Sequence, residues 1–326
     1  MASQPTGSAG KQSTPPVWTE ESLQIEDWQD LAPARPAPSD AVDRDEGYWT
    51  TTDHEQIYWQ AWFDDDSAGD RRGTVALMHG YGEHSARYDH VAVALVRSGY
   101  DVLAIDARGH GRSTGGRGYV ERFSRYVDDM AMLKRRALKR WPDQPLFVVA
   151  HSNGGLIALR YALRKPDGIT GYVVSSPLCG LAVHVPMIKD LAGRLTSRIV
   201  PTLSLPSELD PEDVSHIDEV VEKYRRDPLI FDTANARWFT ETQNAMADLS
   251  RRSGDLDQPF LFLVAGSDCI VDPKVTESIF HRLGSHDREL EVFPELNHEI
   301  LNERPWRSIL QRIILWMERH RSPEST

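Results

Sequence analysis

The stretch 146-LFVVAHSNGGLIALRYAL-163 decides how this chain is read. Its first half is a nearly continuous apolar run, as expected of a strand buried on both faces of a sheet. Its second half repeats apolar residues at helical spacing. Ser152 stands at the junction, and two readings compete for it. It is either an ordinary helix-capping serine in a turn, or the residue of a nucleophile elbow, held in a strained turn with its hydroxyl above the sheet. An elbow needs small residues two before and two after the serine, because backbone and helix approach closely there. Ala150 and Gly154 meet that need, although Ala150 stands where glycine is usual, and Gly155 lets the helix pack tightly.

Similar punctuation continues on both sides. Strand-like runs occur at 56–63, 74–80, 101–109, 146–152, 172–177, 260–267 and 289–295. Helix-period segments separate most of them, at 86–99, 127–141, 153–165, 274–284 and 304–320. Such alternation implies an α/β fold with a mostly parallel sheet covered by helices. Ligands in such sheets bind beyond the carboxyl ends of the strands. Residues 181–256 interrupt the pattern with helices and loops and no obvious strand. That is too long for a simple connection, and it reads as an inserted helical cap. The core is then expected at 46–180 and 257–326. Residues 1–45, rich in Pro, Ser, Gln and acidic side chains, read as a mostly disordered leader. Within it, 18-WTEESLQIEDWQDL-31 offers Trp18, Ile25, Trp28 and Leu31 for docking as a short helix.

Composition excludes some functions. Lys and Arg number 37 against 49 Asp and Glu, a net charge of −12. With no basic block, nucleic-acid binding is disfavoured. Two cysteines, Cys179 and Cys269, make no disulfide framework. The first residues lack the apolar centre of a secretory signal, and no run has the length to cross a bilayer. A cytoplasmic protein, peripheral to membranes at most, is expected.

A serine nucleophile needs a base. His298, in 292-VFPELNHEILNE-303, lies between the last strand run and the final helix, near the strand ends to which Ser152 would point. In the order serine, acid, histidine, the acid follows a strand between the two. The segment 262-FLVAGSDCIVDP-273 offers Asp268 and Asp272. Asp268 is favoured, because Asp272 precedes Pro273 and looks like a helix cap. An oxyanion hole would come from 79-HGYG-82, with the backbone N–H groups of Tyr81 and Asn153 as donors.

At these residues the chain resembles the monoacylglycerol lipase and lysophospholipase branch of the α/β-hydrolases. The matching segments are HGYGEHSARY (79–88), DARGHGRSTGGRGYV (106–120), AHSNGG (150–155), YRRDPL (224–229), AGSDCIVDP (265–273) and NHEIL (297–301). The resemblance spans residues 46–320 and implies an α/β-hydrolase fold with an eight-stranded sheet. It also implies a triad of Ser152, Asp268 and His298, and a polar pocket for the alcohol at Glu83, Arg87 and Tyr224. A structural role for those three, as a turn-stabilising pair and a cap tyrosine, is the competing reading. The chain departs from the pattern at Asn153, where an apolar residue is frequent. It departs again at Leu301, where vertebrate monoacylglycerol lipases have a second histidine that helps hold glycerol.

The expected chemistry is hydrolysis of fatty-acid esters through an acyl-enzyme on Ser152, with neither metal nor organic cofactor. The expected partner is a small lipid ester, and the cap segment 183-VHVPMIKDL-191, apolar on one side, reads as lining an acyl channel, as making transient contact with a membrane surface, or as packing the cap onto the core. The alternatives are a generic carboxylesterase or thioesterase, a cofactor-free haloperoxidase, and a non-catalytic relative that only binds.

Overall fold

The computed structural model describes residues 28–38, 40–65, 71–182, 196–207 and 209–321. In chain order the strands are β1 (Asp43–Thr50), β2 (Gln56–Phe63), β3 (Gly73–Met78), β4 (Tyr100–Ile105), β5 (Leu146–His151), β6 (Gly171–Ser175), β7 (Ser204–Pro206), β8 (Thr233–Asn235), β9 (Phe260–Ala265) and β10 (Arg288–Phe293). The helices are α1 (Asp89–Arg97), α2 (Ser124–Arg140), α3 (Ser152–Ala162), α4 (Asp218–Arg226), α5 (Ala236–Arg252), α6 (Pro273–His281) and α7 (Trp306–Arg321).

Eight of the strands form one sheet, ordered β1-β2-β4-β3-β5-β6-β9-β10. Only β2 runs against the others. The five apolar runs β3, β4, β5, β6 and β9 are buried along their whole length. Their side chains alternate between two apolar clusters, as the two-residue period of a strand requires. Leu146, Val148 and Ala150 of β5 join the cluster that contains α2, α3 and α6. Phe147 and Val149 join the cluster under α1 and α7. Both sheet faces are therefore covered, and the carboxyl ends of β3, β5 and β9 open on one edge.

Two expectations change. The first concerns the leader. Residues 28–38 pack against the α1 and α7 face, with Trp28 and Leu31 only 5% and 1% exposed. Trp28 stacks on Trp306 with ring centroids 6.1 Å apart. Arg307 donates to the carbonyls of Trp28 and Leu31. Arg97 clasps Asp30 at 2.7 and 2.9 Å. Two apolar anchors and two arginines order a segment whose composition alone suggests disorder. Trp18 and Ile25 lie outside the described residues. Strand β1 also begins at Asp43, inside the expected leader. It is a mostly exposed edge strand, so no apolar run announces it.

The second concerns the interval 181–256. The expected helices appear there as α4 and α5, but β7 and β8 also pair in the interval as a short antiparallel ribbon. Three residues per strand are too few for sequence periodicity to register. The segment 183–191 lies outside the described residues.

Candidate active site

Ser152 starts α3 directly after β5 ends at His151. Its φ is +51°, in the left-handed region that costs a non-glycine residue on the order of 1 kcal/mol. The neighbours hold it there. A Cβ on Gly154 would lie 2.4 Å from the His79 carbonyl oxygen and 2.5 Å from that of Met78. A Cβ on Gly155 would lie 2.7 Å from Cβ of Pro177. Both positions therefore need glycine for α3 to seat against β3 and the turn after β6. The methyl of Ala150 is accommodated within the α2 and α3 cluster. The Ser152 carbonyl accepts from the N–H of Leu178 at 2.9 Å.

His298 follows β10, and its Nδ1 is 2.6 Å from Oδ2 of Asp268. Asp268 follows β9, and its other oxygen accepts from the N–H groups of Ile270 and Val271, each at 2.8 Å. Burial works against charge on Asp268. The His298 charge and hydrogen bond, with the two backbone donors, outweigh it and hold the carboxyl below the usual range. Burial likewise works against a charged His298, but Asp268, aided by Glu299 and Glu83, carries the imidazole above the ordinary histidine value. Asp272 is placed differently. It caps α6, accepting from the N–H groups of Lys274 and Val275.

The 79–82 turn stands against the serine. A Cβ on Gly80 would lie 3.1 Å from the Ser152 Cβ. His79 locks the turn: its Nε2 accepts from the N–H of Ala107 at 2.8 Å, which leaves Nδ1 to donate to the Gly80 carbonyl at 2.7 Å. Tyr81 stacks on Trp238 of α5 with centroids 3.5 Å apart, and its hydroxyl donates to the carbonyls of Gly118 and Thr233. Asn153 is the second residue of α3, so its N–H is among the first-turn donors that a helix leaves without an internal acceptor. Its side chain is 1% exposed, and Oδ1 has no hydrogen-bond partner among the described residues.

The three expected alcohol-pocket residues do not all present free polar groups. Glu83 is 2% exposed. Its Oε1 accepts from the Gly80 N–H at 2.6 Å and the Tyr88 hydroxyl at 2.8 Å, and its Oε2 accepts from Arg87 at 2.7 Å. Arg87 also forms a two-pronged pair with Glu299, both bonds 2.6 Å. Tyr224 of α4 covers the guanidinium, 5.0 Å from ring centroid to Cζ. Glu299 is a residue that sequence reasoning passed over, although it directly follows His298. His151 was passed over too. Its ring lies 4.6 Å from that of His298, and burial, with the His298 charge, pushes it down to about 3.

Ser152, His298, Gly80, Tyr81, Glu83 and Tyr224 all border one cavity of about 290 Å³. Leu178, Leu181, Val214, Trp238, Phe239 and Met246 are among its apolar lining residues, and Glu83, Asp213, Tyr224 and Glu299 among its polar ones. An apolar pocket with a few convergent polar groups is the usual form of a small-molecule site.

A family profile described as serine aminopeptidase, S33, matches residues 69–305, well over half of the chain. The chain belongs to this family of α/β-hydrolases. Within the family it is most readily compared with ester hydrolases. It is 30% identical over 266 residues to a monoacylglycerol lipase of Mycolicibacterium smegmatis, covering 81% of this chain and 94% of that one. The crystal structure of Paleococcus ferrophilus monoacylglycerol lipase superposes with a TM-score of 0.73 at 30% identity, covering 81% of this chain and 99% of that one. An uncharacterised abhydrolase domain-containing protein of Dictyostelium discoideum is 32% identical over 250 residues, and this chain spans only 26% of its length. The family member described here is thus a monoacylglycerol lipase-like carboxylic ester hydrolase. Among the described residues, no helix is long and apolar enough to cross a membrane.

Proposed function

We propose that this protein hydrolyses carboxylic esters of fatty acids, of the monoacylglycerol or lysophospholipid type, through an acyl-enzyme on Ser152. The observation that carries this reading is the cavity that Ser152 and the Asp268-paired His298 border together, lined by apolar and polar side chains. With Nδ1 engaged by Asp268, the Nε2 of His298 takes the Ser152 proton as Oγ attacks the ester carbonyl carbon. The N–H groups of Tyr81 and Asn153 receive the developing oxyanion. The tetrahedral species collapses, the C–O bond to the alcohol breaks, and His298 returns the proton to the leaving oxygen. Water then attacks the acyl-enzyme, with His298 again as base, and releases the fatty acid. Asp268 holds the imidazole and stabilises its charged form.

Residues 181–256 act in this reading as a cap over the strand ends. Trp238, Phe239 and Met246 of α5 supply much of the acyl wall, and Tyr224 of α4 supplies part of the alcohol end. Membrane contact by the cap is supported by Ile199, Val200, Leu203 and Leu205, which are between 41% and 69% exposed. A cytoplasmic, membrane-peripheral location fits that surface.

A turnover panel of monoacylglycerols, lysophospholipids, acyl thioesters and p-nitrophenyl esters of graded chain length tests the proposal. Activity on long-chain glycerol or lysophospholipid esters is expected, with Ser152→Ala abolishing turnover and fluorophosphonate labelling while leaving the fold intact. Preference for short acyl chains would make the protein a general esterase. Absence of labelling in the wild-type protein would make it a binding protein.

A further inference from the structure

Glu299 has no part in the mechanism above, yet it is buried at the reacting end of the molecule. It is 5% exposed. Its backbone N–H donates to the Val214 carbonyl at 2.9 Å. Both carboxylate oxygens are engaged by Arg87 at 2.6 Å, and Oε2 also accepts from the side-chain amide of Asn302 at 2.9 Å. From Arg87 the chain of contacts runs to Glu83 at 2.7 Å and on to the Gly80 N–H at 2.6 Å. Gly80 abuts Ser152, and Glu299 adjoins His298. A continuous set of charge-assisted bonds thus joins the turn beside the nucleophile to the loop that carries the base.

The charges do not cancel. Two carboxylates share one guanidinium, leaving one negative charge in a dry region where Coulomb interactions are weakly screened. We propose that Glu299 is a positioning residue: through Arg87 it fixes the His298 loop relative to the oxyanion turn, and its carboxylate adds a second negative charge beside the imidazole. The proposal rests on His298 acting as the base.

The charged and titratable groups around His298 come from six segments. Asp268 comes from the loop after β9, His151 from the end of β5 and Glu83 from the turn after β3. Arg87 comes from the 85–88 helical turn, Asp213 from the cap-side turn 211–213 and Tyr224 from α4. Burial, chiefly, keeps His151 neutral near pH 7, and Arg87 is held in its charged form by Glu299 and Glu83 against the cost of burial. The carboxylates therefore favour the imidazolium that forms as Ser152 loses its proton.

The test compares Glu299→Gln, which removes charge at nearly constant shape, with Glu299→Asp, which keeps charge but shortens the reach. For each, kcat/KM is measured on a p-nitrophenyl ester against pH, beside the wild type and a thermal melt. The base must be neutral to act, so kcat/KM rises with pH through the His298 titration. In Glu299→Gln that rise is expected at lower pH, with kcat down on the order of tenfold to a hundredfold and KM little changed. In Glu299→Asp the rise is expected at the wild-type pH with a lower plateau. A Glu299→Gln enzyme whose rise and plateau match the wild type overturns the role of Glu299. So does one whose only change is a lower melting temperature. Should Glu299→Gln not fold, a displaced rise in Glu299→Asp overturns it instead. Failure of the base assignment has a separate signature: a wild-type enzyme with no fluorophosphonate labelling, or a His298→Ala variant that keeps full turnover.

Discussion

At the scale of single residues, the two aspartates after β9 have separable duties. Asp268 meets His298, whereas Asp272 caps α6. Asp268→Asn is expected to lower kcat by on the order of 10⁴, while Asp272→Ala is expected to cost about 1 kcal/mol of stability with kcat retained. Ester kinetics and denaturant melts on both variants check this. The pair also sets a pH dependence. Asp268 is depressed when folded, so its stabilisation is present above the ordinary carboxylate range and is lost as pH falls through its lowered folded value. The raised His298 contributes in the opposite sense: its share is present below the ordinary histidine value and is lost as pH rises through the folded value. Relative to the wild type, Asp268→Asn should flatten stability on the acid flank, below the ordinary carboxylate value, and on the flank above the ordinary histidine value, as measured by melts from about pH 2 to 9. Asn153 poses a different problem. Among the described residues its Oδ1 is buried without a partner, and such a group costs about 1–3 kcal/mol. Asn153→Leu, close in shape, is expected to raise the unfolding free energy by about 1 kcal/mol. Labelling at Ser152 should persist, because the backbone donor is unchanged.

At the scale of elements, the β5–α3 junction is the least tolerant part of the chain. Gly154→Ala would drive a methyl into two carbonyl oxygens of β3 and its turn, and backbone atoms yield less readily than side chains. Overpacking of this kind costs about 1–3 kcal/mol. It would also push Ser152 from its seat, so fluorophosphonate labelling should fall further than the melting temperature does. Residues 28–38 behave oppositely. Trp28→Ala removes a buried indole from the α1 and α7 face and is expected to cost about 3 kcal/mol, seen as a lower melt with kcat nearly unchanged. Loss of the exposed Arg35–Glu219 pair, which ties residues 28–38 to α4, should leave the melt nearly unchanged, because solvent screens such pairs. The five inner strands are legible in sequence because both their faces are dry. Strand β1 is not, because an exposed edge needs no apolar pattern. The β7–β8 ribbon is hidden because six residues in two pieces carry no period.

At the scale of the whole molecule, the sequence by itself determines the order of the parts. A strand ending in HGYG, a strand ending in AHSNGG, an aspartate after a later strand and a histidine after the last strand follow from local composition and chain order. Strands in a parallel sheet all end on the same edge, so that order brings the four together. Tertiary structure decides what those residues touch. Arg87 and Glu299 are 212 positions apart, and no local rule pairs them. The same holds for Trp28 on Trp306 and for Tyr81 on Trp238. Glu83 and Arg87 read in sequence as an alcohol pocket or a surface pair. In the fold, their polar atoms are spent on Gly80, Tyr88 and Glu299, so the cavity receives a braced wall more than a set of free donors. The physical reason is reach. Periodicity and turn chemistry report the few residues around each position, while burial, charge pairing and the shape of the cavity depend on which distant surfaces the closed sheet brings into contact.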